Sequence, residues 1–473
     1  MRPDSLGPSA DPEAPDTARP DAASPDTARS DTARSDMARS ALAKASARLL
    51  PLLFLLYVVA YLDRVNVSFA ALHMNRDLGL SDAAYGLGAG VFFLGYALFE
   101  IPSNLILERV GARRWMARIM VSWGLVSTAM ALVSGQASFL ALRLLLGLAE
   151  AGFFPGMILY LTYFFPRARR ATAVSLFMAA TAVAGLVGAP LSGLLLGLHG
   201  AWGLAGWRWM FVLEGIPAVI LGLALLKLLP DRPAEASWLS PGERDALTGL
   251  LAAENREIDE SGGARSHRVP ALAQVREVLS RPVAWLLAGA YFAMVTAMYG
   301  LGLWMPQIIS GLNRASESAS DVTTGLLTAV PYLCAALGMG LVGASADKTG
   351  RPKVHALACL GLGAAGAVLS ALSTGLAGTL AGFCLTAMGV WGMLGPFWSL
   401  ATVRLGPGAA AAGIAFINCL GNVGGFLGPT LVGWLGGVFG GHGAGLGALA
   451  LSLGLGFGAL WLVPGFQGTT RKE

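Results

Sequence analysis

Two acidic and two basic side chains lie inside long apolar segments of the first half of the chain. Asp63 and Arg64 are adjacent within an apolar run that begins at Leu49. Arg143 and Glu150 are seven residues apart in the segment RLLLGLAEAGFFPG, which is about two helical turns, so they share one helix face. Ionisable residues in a membrane segment are costly and most often functional. Two structural ion pairs are the alternative interpretation.

These four residues together suggest chemistry that couples a proton to an anion. With both acids ionised, the set is neutral and does not attract an anion. Protonation of Asp63 or Glu150 would leave an Arg free to bind a carboxylate through two charge-assisted hydrogen bonds. Proton and anion would then cross the membrane together, along a pathway that Asp63 and Arg64 help to line.

The composition indicates a membrane protein. Of the 473 residues, 55% are hydrophobic and 13% are charged, whereas a soluble domain is about a quarter charged. The expected fold is all-α and integral to the membrane, with twelve transmembrane helices in two six-helix bundles. The apolar segments that predict these helices are 49–72, 83–107, 115–134, 138–164, 171–197, 209–229, 283–310, 322–345, 354–374, 377–402, 409–436 and 443–464.

A polar loop divides the predicted helices into two groups of six. Within it, Ser240-Pro241-Gly242-Glu243 has the pattern of a helix start, and a short amphipathic helix is expected to follow. Lys and Arg cluster in the short loops of one side, which predicts that both termini are cytoplasmic. Met37 is a candidate start of the natural chain. The expected parts are a disordered tail over 1–48, a first bundle over 49–229, a cytoplasmic loop over 230–281, a second bundle over 282–464 and a tail over 465–473.

A short motif recurs in the two halves. ERVGARR begins at Glu108 and DKTGRPK begins at Asp347, at an offset of 239 residues. We interpret the halves as related copies. An acid at a helix end, a Gly for the turn and several bases can lock two helix ends together, so we predict a gate on the cytoplasmic side. The predicted gate residues are Glu108, Arg109, Gly111, Arg113, Asp347, Gly350 and Arg351.

The second half is expected to contribute shape and neutral hydrogen-bond donors. The same offset places no charged residue of that half opposite the four buried charges of the first half. In the first half, Tyr96 is a candidate ligand, while the roles of Glu100 and Glu214 stay open. The candidates in the second half are Tyr299, Trp304, Gln307, Trp398, Asn418 and Asn422.

Over about 49–464, this chain closely resembles the anion:cation symporter branch of the major facilitator superfamily. The resemblance is carried by YLDRVNVSFA, IPSNLILERVGARRW, RLLLGLAEAGFFPG, GWRWMFVLEGIPA and FINCLGNVGGFLGP. It implies two pseudo-symmetric bundles, alternating access and proton-coupled uptake of an organic anion such as tartrate, an aromatic acid or a sugar acid. It also implies that Asp63 and Glu150 carry the coupling proton. The substrate contacts that it implies are Arg64, Arg143, Tyr61, Tyr96, Trp398 and Asn418.

Other classes of function fit the sequence less well. A membrane enzyme needs a nucleophile with a base, or a metal cluster, whereas the five His of this chain are scattered. We therefore expect no enzyme activity, no metal site and no cofactor, with the proton as coupling ion. The expected partners are the organic anion and the lipid bilayer, not nucleic acid, and the expected state is a monomer in the inner membrane. An exchanger or an exporter of the same fold is the alternative, and which anion is carried stays open.

Overall fold

The computed structural model of the chain describes residues 25–258, 276–313, 320–405 and 410–464. Helices form most of these ranges, and three short 3-10 turns join them at Met130–Leu132, Ala201–Gly203 and Pro233–Glu235. The first-half helices are α1 Pro25–Leu78, α2 Asp82–Val110, α3 Ala112–Ala129, α4 Gln136–Glu150, α5 Phe153–Phe164, α6 Arg167–Leu196, α7 Gly206–Leu228 and α8 Pro241–Ile258. The second-half helices are α9 Pro282–Asn313, α10 Asp321–Thr349, α11 Pro352–Leu372, α12 Leu376–Gly392, α13 Leu394–Leu405, α14 Ala410–Phe439 and α15 Gly443–Leu462.

Twelve helical segments in the described ranges are long and apolar enough to cross a bilayer. Two of these segments are interrupted: α4 and α5 form one span over Gln136–Phe164, and α12 and α13 form one over Leu376–Leu405. The amphipathic α8 lies between the sixth and seventh spans. The expectation of an all-α membrane protein with twelve spans in two groups of six is confirmed.

The two bundles meet mainly along two pairs of helices, with α2 packed on α14 and α6 packed on α10, and α1 also contacts α9. We call the end of the molecule where α1 ends and α2 begins the far face, and the opposite end, where α8 lies, the loop face. Near the far face, an added Cβ on Gly86 would come 2.6 Å from the carbonyl oxygen of Pro429. One on Gly193 would come 2.6 Å from that of Asp321. The backbones of the two bundles therefore touch there without intervening side chains.

Hydrogen bonds between the bundles also lie at the far face. The hydroxyl of Tyr85 donates to the carbonyl oxygen of Leu303 at 2.7 Å. His73 Nε2 lies 2.9 Å from Asp321 Oδ2. Together with the glycine contacts, these bonds close the far face.

The tail that was predicted to be disordered over 1–48 is helical from Pro25 onward, as a continuation of α1. Residues 1–24 lie outside the described part of the chain. The reason is a stripe of small apolar side chains at helical spacing: Ala38, Ala41, Ala45 and Leu49 are all buried. This stripe packs against α8, so that tertiary contact supplies the stability that composition alone does not indicate.

The start of α8 also binds this extension of α1. Ser240 and Glu243 form the predicted capping box, in which each side chain accepts a hydrogen bond from the backbone N–H of the other. Glu243 Oε2 accepts from Lys44 Nζ at 2.9 Å, and Glu243 Oε1 accepts from Ser40 Oγ at 2.7 Å. Lys44, the Ser240 backbone N–H and Ser40 hold the pKa of Glu243 at about 2, below its ordinary 4.5.

Candidate functional site

Arg64 and Glu150 form a buried ion pair between α1 and the end of α4. Arg64 Nη2 donates to Glu150 Oε1, and Arg64 Nη1 donates to the hydroxyl of Tyr299 at 3.0 Å. The guanidinium also lies over two aromatic rings, 5.6 Å from the centroid of Phe92 and 5.4 Å from that of Tyr96. One cation is thus bound by a carboxylate, a phenol of the second bundle and two ring faces.

The ion pair uses only one oxygen and one nitrogen of its two partners. Arg64 Nε and Glu150 Oε2 are buried, and neither has a hydrogen-bond partner in the described structure. A guanidinium can bind a carboxylate through two parallel hydrogen bonds. The resident Glu150 therefore leaves part of the binding capacity of Arg64 unused.

The Arg64–Tyr299 contact borders a cavity of about 70 Å³ between the bundles. This volume exceeds the roughly 10–15 Å³ that one water molecule requires on the same measure. Tyr61, Tyr96, Arg64 and Asn418, which the family resemblance implied as substrate contacts, all line it. The other lining residues are Tyr57, Phe154, Met178, Thr181, Tyr291, Val295, Met298, Tyr299, Trp391, Leu394, Gly421 and Asn422.

Three of the lining residues share one face of α1. Tyr57, Tyr61 and Arg64 stand at positions i, i+4 and i+7, which bring them onto one stripe of a helix. This spacing was visible in the sequence, although sequence analysis did not assign Tyr57 a role. Tyr291 and Trp391 were also missed, because aromatic residues are common in apolar helices and nothing local distinguishes these two.

A break in the fourth span places Glu150. Helix α4 ends at Glu150, and α5 begins at Phe153. Gly152 between them has φ +84, and an added Cβ there would come 2.2 Å from Ser103 Oγ. Only glycine fits this left-handed, crowded position. The helix of the fourth span is therefore interrupted just beyond Glu150, the carboxylate that pairs with Arg64.

Arg143 does not line the cavity. Its Nε donates to the carbonyl oxygen of Gly88 at 3.1 Å, and its Nη2 donates to that of Ala89 at 3.0 Å. The guanidinium also lies 5.0 Å from the ring centroid of Phe92. Because the backbone of α2 takes these donors, Arg143 joins α4 to α2 in this conformation and does not face the space where the resemblance would place a substrate.

Asp63 faces away from Arg64 and into the first bundle. Its carboxylate accepts hydrogen bonds from Trp123 Nε1 at 2.7 Å and from Ser127 Oγ at 2.8 Å, both on α3. Asn66 Nδ2 adds a third contact at 3.3 Å. The expectation that Asp63 and Arg64 together line the pathway is therefore wrong for Asp63, since adjacent positions on a helix point about 100° apart.

Trp398 lies beside the cavity but does not line it. Its ring packs against Tyr291, at 5.0 Å between centroids, and against Phe397, at 5.3 Å. The lining tryptophan of this region is Trp391 instead. Trp398 therefore supports Tyr291 in this conformation and has no direct access to the space.

Glu100, whose role the sequence left open, connects the two bundles on the loop-face side of the cavity. Glu100 Oε1 accepts from Asn418 Nδ2 at 2.7 Å, and Glu100 Oε2 accepts from Asn422 Nδ2 at 2.9 Å. Both asparagines also line the cavity. A carboxylate of the protein thus occupies two amide donors that border the site.

The first copy of the recurring motif binds within its own bundle. Gly111 ends α2 with φ +95. The backbone N–H of Arg113 donates to Asp231 Oδ1 at 2.7 Å, and its guanidinium pairs with Asp231 at 3.4 Å and with Glu235 at 3.6 Å. The Arg113 cation therefore joins α3 to the connection between α7 and α8.

The predicted lock between the bundles is not formed in this conformation. The side chains of Glu108, Arg109, Asp347 and Arg351 are exposed, and Gly350 ends α10 with φ +62. Within the described ranges, the hydrogen bonds and ion pairs of the motif stay inside one bundle or the other. An open lock at the loop face agrees with a molecule that is closed at the far face.

Comparisons with known proteins agree with this fold. A family model described as the Major Facilitator Superfamily matches residues 53–429. The chain is 47% identical over 393 residues, 83% of its length, to 87% of an Agrobacterium vitis protein named for tartrate transport. It is 40% identical over 404 residues, 85% of its length, to 90% of a quinolone resistance transporter of Acinetobacter baumannii.

A solved structure also matches at the level of the fold. It is the crystal structure of a bacterial homolog of the human lysosomal transporter Spinster, in an inward-facing and occupied conformation. The match has a TM-score of 0.70 at 19% sequence identity and covers 88% of this chain and 96% of that one. From the twelve spans, the family model and these relatives, the chain belongs to the major facilitator superfamily, among the permeases of the anion:cation symporter type, and is a transmembrane transporter.

Proposed function

We propose that the protein takes up an organic carboxylate together with protons, by alternating access of the cavity to the two faces of the membrane. The observation that carries this proposal is the single-bond ion pair of Arg64 and Glu150 at a cavity between the bundles. A buried cation that lines such a cavity favours an anionic substrate. A carboxylate bound to that cation gives a proton a direct way to control anion binding.

In the proposed cycle, Glu150 first takes a proton from the far-face side and becomes neutral. Arg64 then lacks a negative partner. A substrate carboxylate takes the place of Glu150 and accepts hydrogen bonds from Nη2 and from the unused Nε of Arg64. For one substrate carboxylate and one proton, the occupied site carries the same net charge as the empty one, so it can move between the faces without an added buried charge. A second substrate carboxylate requires a second proton for the same balance. When the loop face opens, loss of the proton from Glu150 restores the ion pair and releases the anion.

The polar lining of the cavity suits a hydroxylated acid. Besides Arg64, the lining includes the hydroxyls of several tyrosines and the amides of Asn418 and Asn422. Phenols and amides both donate and accept, as a substrate with hydroxyl groups requires. The Agrobacterium vitis relative named for tartrate transport makes tartrate the first substrate to test.

The experiment is uptake of labelled tartrate into liposomes that contain the purified protein, with and without an inward proton gradient. We expect accumulation only with the gradient. A matched ligand control is the diamide of tartaric acid, which has the same carbon skeleton but no charge and should neither accumulate nor compete. Equal accumulation without the gradient, or competition by the diamide, would contradict the proposal.

Export of organic compounds is the second candidate function. It is favoured by the 40% identity to the quinolone resistance transporter of Acinetobacter baumannii. The same liposomes, loaded with a fluoroquinolone, distinguish the uptake permease from the exporter when loss of the drug from the liposomes is measured. Extrusion of the drug that tartrate does not inhibit would favour the exporter.

We also propose a place and orientation for the transporter. The basic residues of the recurring motif lie at the loop face together with α8, and basic loops usually stay in the cytoplasm. The loop face and both termini would then be cytoplasmic, in the inner membrane of a bacterium. A monomer is the expected unit, since each chain has its own cavity. Labelling of single cysteines placed in α8, from either side of intact cells, tests the orientation.

A further inference from the structure

Arg118 is a cation inside the third span that lacks an acceptor for most of its N–H groups. It lies in the second turn of α3, within the apolar segment Ala112–Leu132. Its Nε and Nη2 are buried, and neither has a hydrogen-bond partner among the described residues. Its Nη1 makes one long contact, at 3.4 Å, with Ser122 Oγ. Because a guanidinium carries five N–H donors, nearly all of this binding capacity is unused.

The positive charge of Arg118 is not balanced by the described residues either. Among them, no acidic side chain acts on its guanidinium, which is influenced by burial alone. Arg113, by contrast, points to another face of α3 and pairs with Asp231 and Glu235. A charged side chain in a membrane span is costly unless it is paired. A lipid-facing cation without a partner in the protein therefore favours a counter-charge from the bilayer.

Arg118 belongs to a stripe of side chains along the outer surface of α3. Residues at spacings of three and four share one face of a helix, and those of this stripe are Arg114, Arg118, Ser122 and Leu125. Leu125 is 56% exposed. Arg114 is exposed as well, while Arg118 and Ser122 are partly exposed. The stripe is thus accessible from the space that lipid fills around a membrane protein.

Contacts on either side fix the direction in which this stripe points. Trp115 Nε1 donates to Ser103 Oγ on α2 at 2.9 Å. On the other side, α7 packs so closely that an added Cβ on Gly222 would come 3.0 Å from the backbone nitrogen of Val121. Trp115 and Val121 are each three residues from Arg118, in opposite directions, so they lie about 60° to its two sides. The stripe therefore faces outward between α2 and α7.

The side chains of the stripe follow the order of the chemical groups in a phospholipid. From the loop face inward, the guanidiniums of Arg114 and Arg118 come first, on residues about 6 Å apart along the helix axis. The hydroxyl of Ser122 follows about 6 Å deeper, and the apolar Leu125 comes next. A phospholipid of the leaflet at that face presents a phosphate, then ester carbonyl groups, then acyl chains. Guanidinium binds phosphate through paired hydrogen bonds, and a hydroxyl can donate to an ester carbonyl.

We propose that this stripe binds one anionic phospholipid of the leaflet at the loop face, with the lipid phosphate on Arg118 and the rest of the headgroup near Arg114. The ring centroid of Trp115 lies 3.9 Å from Arg118 Cζ, and this stacking holds the guanidinium at its depth. A headgroup without a cation keeps the full negative charge of its phosphate, whereas choline cancels that charge, so the site prefers the anionic lipid. None of these residues lines the cavity, and the inference stands whichever substrate the protein carries.

The test is native mass spectrometry of the purified protein, titrated with dioleoylphosphatidylglycerol, which is anionic, or with dioleoylphosphatidylcholine, which is zwitterionic. We expect tighter binding of the anionic lipid, and about fivefold weaker binding of it by Arg118→Gln, the usual contribution of one basic residue near a membrane surface. Arg169→Gln, which removes an exposed arginine of α6, is the matched control and should leave the affinity unchanged. Equal affinity for the two lipids, or no effect of Arg118→Gln, would overturn the proposal.

Two further measurements identify the source of the phosphate and cover a variant that folds poorly. Phosphatidylglycerol should raise the melting temperature of the natural protein, and inorganic phosphate should not. Equal stabilisation by inorganic phosphate would assign Arg118 to a free anion and contradict a lipid site. If Arg118→Gln does not fold, Arg114→Gln replaces it, because Arg114 is exposed and lies near the end of its helix. A partial loss of affinity for phosphatidylglycerol in Arg114→Gln supports the proposal, and an unchanged affinity contradicts it.

Discussion

Glu100 accepts a hydrogen bond of 2.7 Å from Asn418 across the boundary between the two bundles. The bond occupies an amide that borders the cavity, and Asn422 is held by the same carboxylate. A carboxylate of the protein is therefore bound where a second carboxylate of a substrate could bind. The contact must also break whenever α2 and α14 separate at this level.

This relationship predicts that Glu100→Gln binds tartrate more tightly. The change removes a negative charge near the cavity and weakens the hold on two amide donors, so we expect about a 3- to 10-fold lower Kd, where tenfold corresponds to about 1.4 kcal/mol. Calorimetry or a scintillation binding assay on the purified protein measures it. Glu108→Gln, an exposed glutamate on the same helix, is the control and should leave the Kd unchanged. Weaker binding by Glu100→Gln would count against the competition.

Arg64→Lys should lose most of the affinity for a carboxylate while it keeps the positive charge. A lysine is a point charge and cannot form the paired hydrogen bonds of a guanidinium. We expect at least a tenfold higher Kd for tartrate in the same binding assay. Arg143→Lys is the matched control. Because Arg143 binds the carbonyl oxygens of α2, its loss should lower the melting temperature more than the affinity.

Glu150→Gln should make tartrate binding independent of pH. In the natural protein, a proton on Glu150 releases Arg64, so binding strengthens as the pH falls and weakens as it rises. The neutral Gln holds Arg64 in the released condition at every pH. Binding curves at acidic and alkaline pH measure the difference. Asp63→Asn is the control, because the Asp63 side chain faces α3 instead of Arg64, and this variant should keep the pH dependence. If Asp63→Asn loses it, the proton that controls binding is carried by Asp63 and not by Glu150.

Glu243 should stabilise the folded protein in a pH-dependent way. Its pKa in the folded state is about 2, against an ordinary 4.5, with Lys44 as the largest cause. Because the folded-state value is the lower one, its contribution is fully present above about pH 4.5 and is lost as the pH falls towards 2. The melting temperature of Glu243→Gln should lie below that of the natural protein at neutral pH, and the gap should narrow in acid. Asp245→Asn, an exposed position on α8, should show no such gap.

The spans and the buried charges, Arg64 and Glu150 among them, could be predicted from the sequence because hydropathy and charge within an apolar segment are local properties. The partners of those charges could not. Trp123 and Ser127, which bind Asp63, belong to α3, and no spacing along α1 indicates which neighbouring helix a side chain meets. The carbonyl oxygens that hold Arg143 have no sequence signal, since every residue carries one. The helix over the first described residues was not predicted, because the alanines of that region were treated as part of a polar tail. Their helical spacing, at Ala38, Ala41 and Ala45, forms the buried stripe that packs on α8.

The glycine contacts between the bundles have a mechanical consequence. Where Gly86 and Gly193 meet the carbonyl oxygens of the other bundle, no side chain is present that could swing aside. The two bundles can separate at these contacts only if whole helices move, as in a rigid-body rotation of one bundle against the other. On the loop-face side of the cavity, by contrast, a rotation of the Glu100 side chain is enough to break its hydrogen bond with Asn418. The transporter thus has a stiff closure at one end and a soft one at the other, and thermal motion should loosen the soft end first.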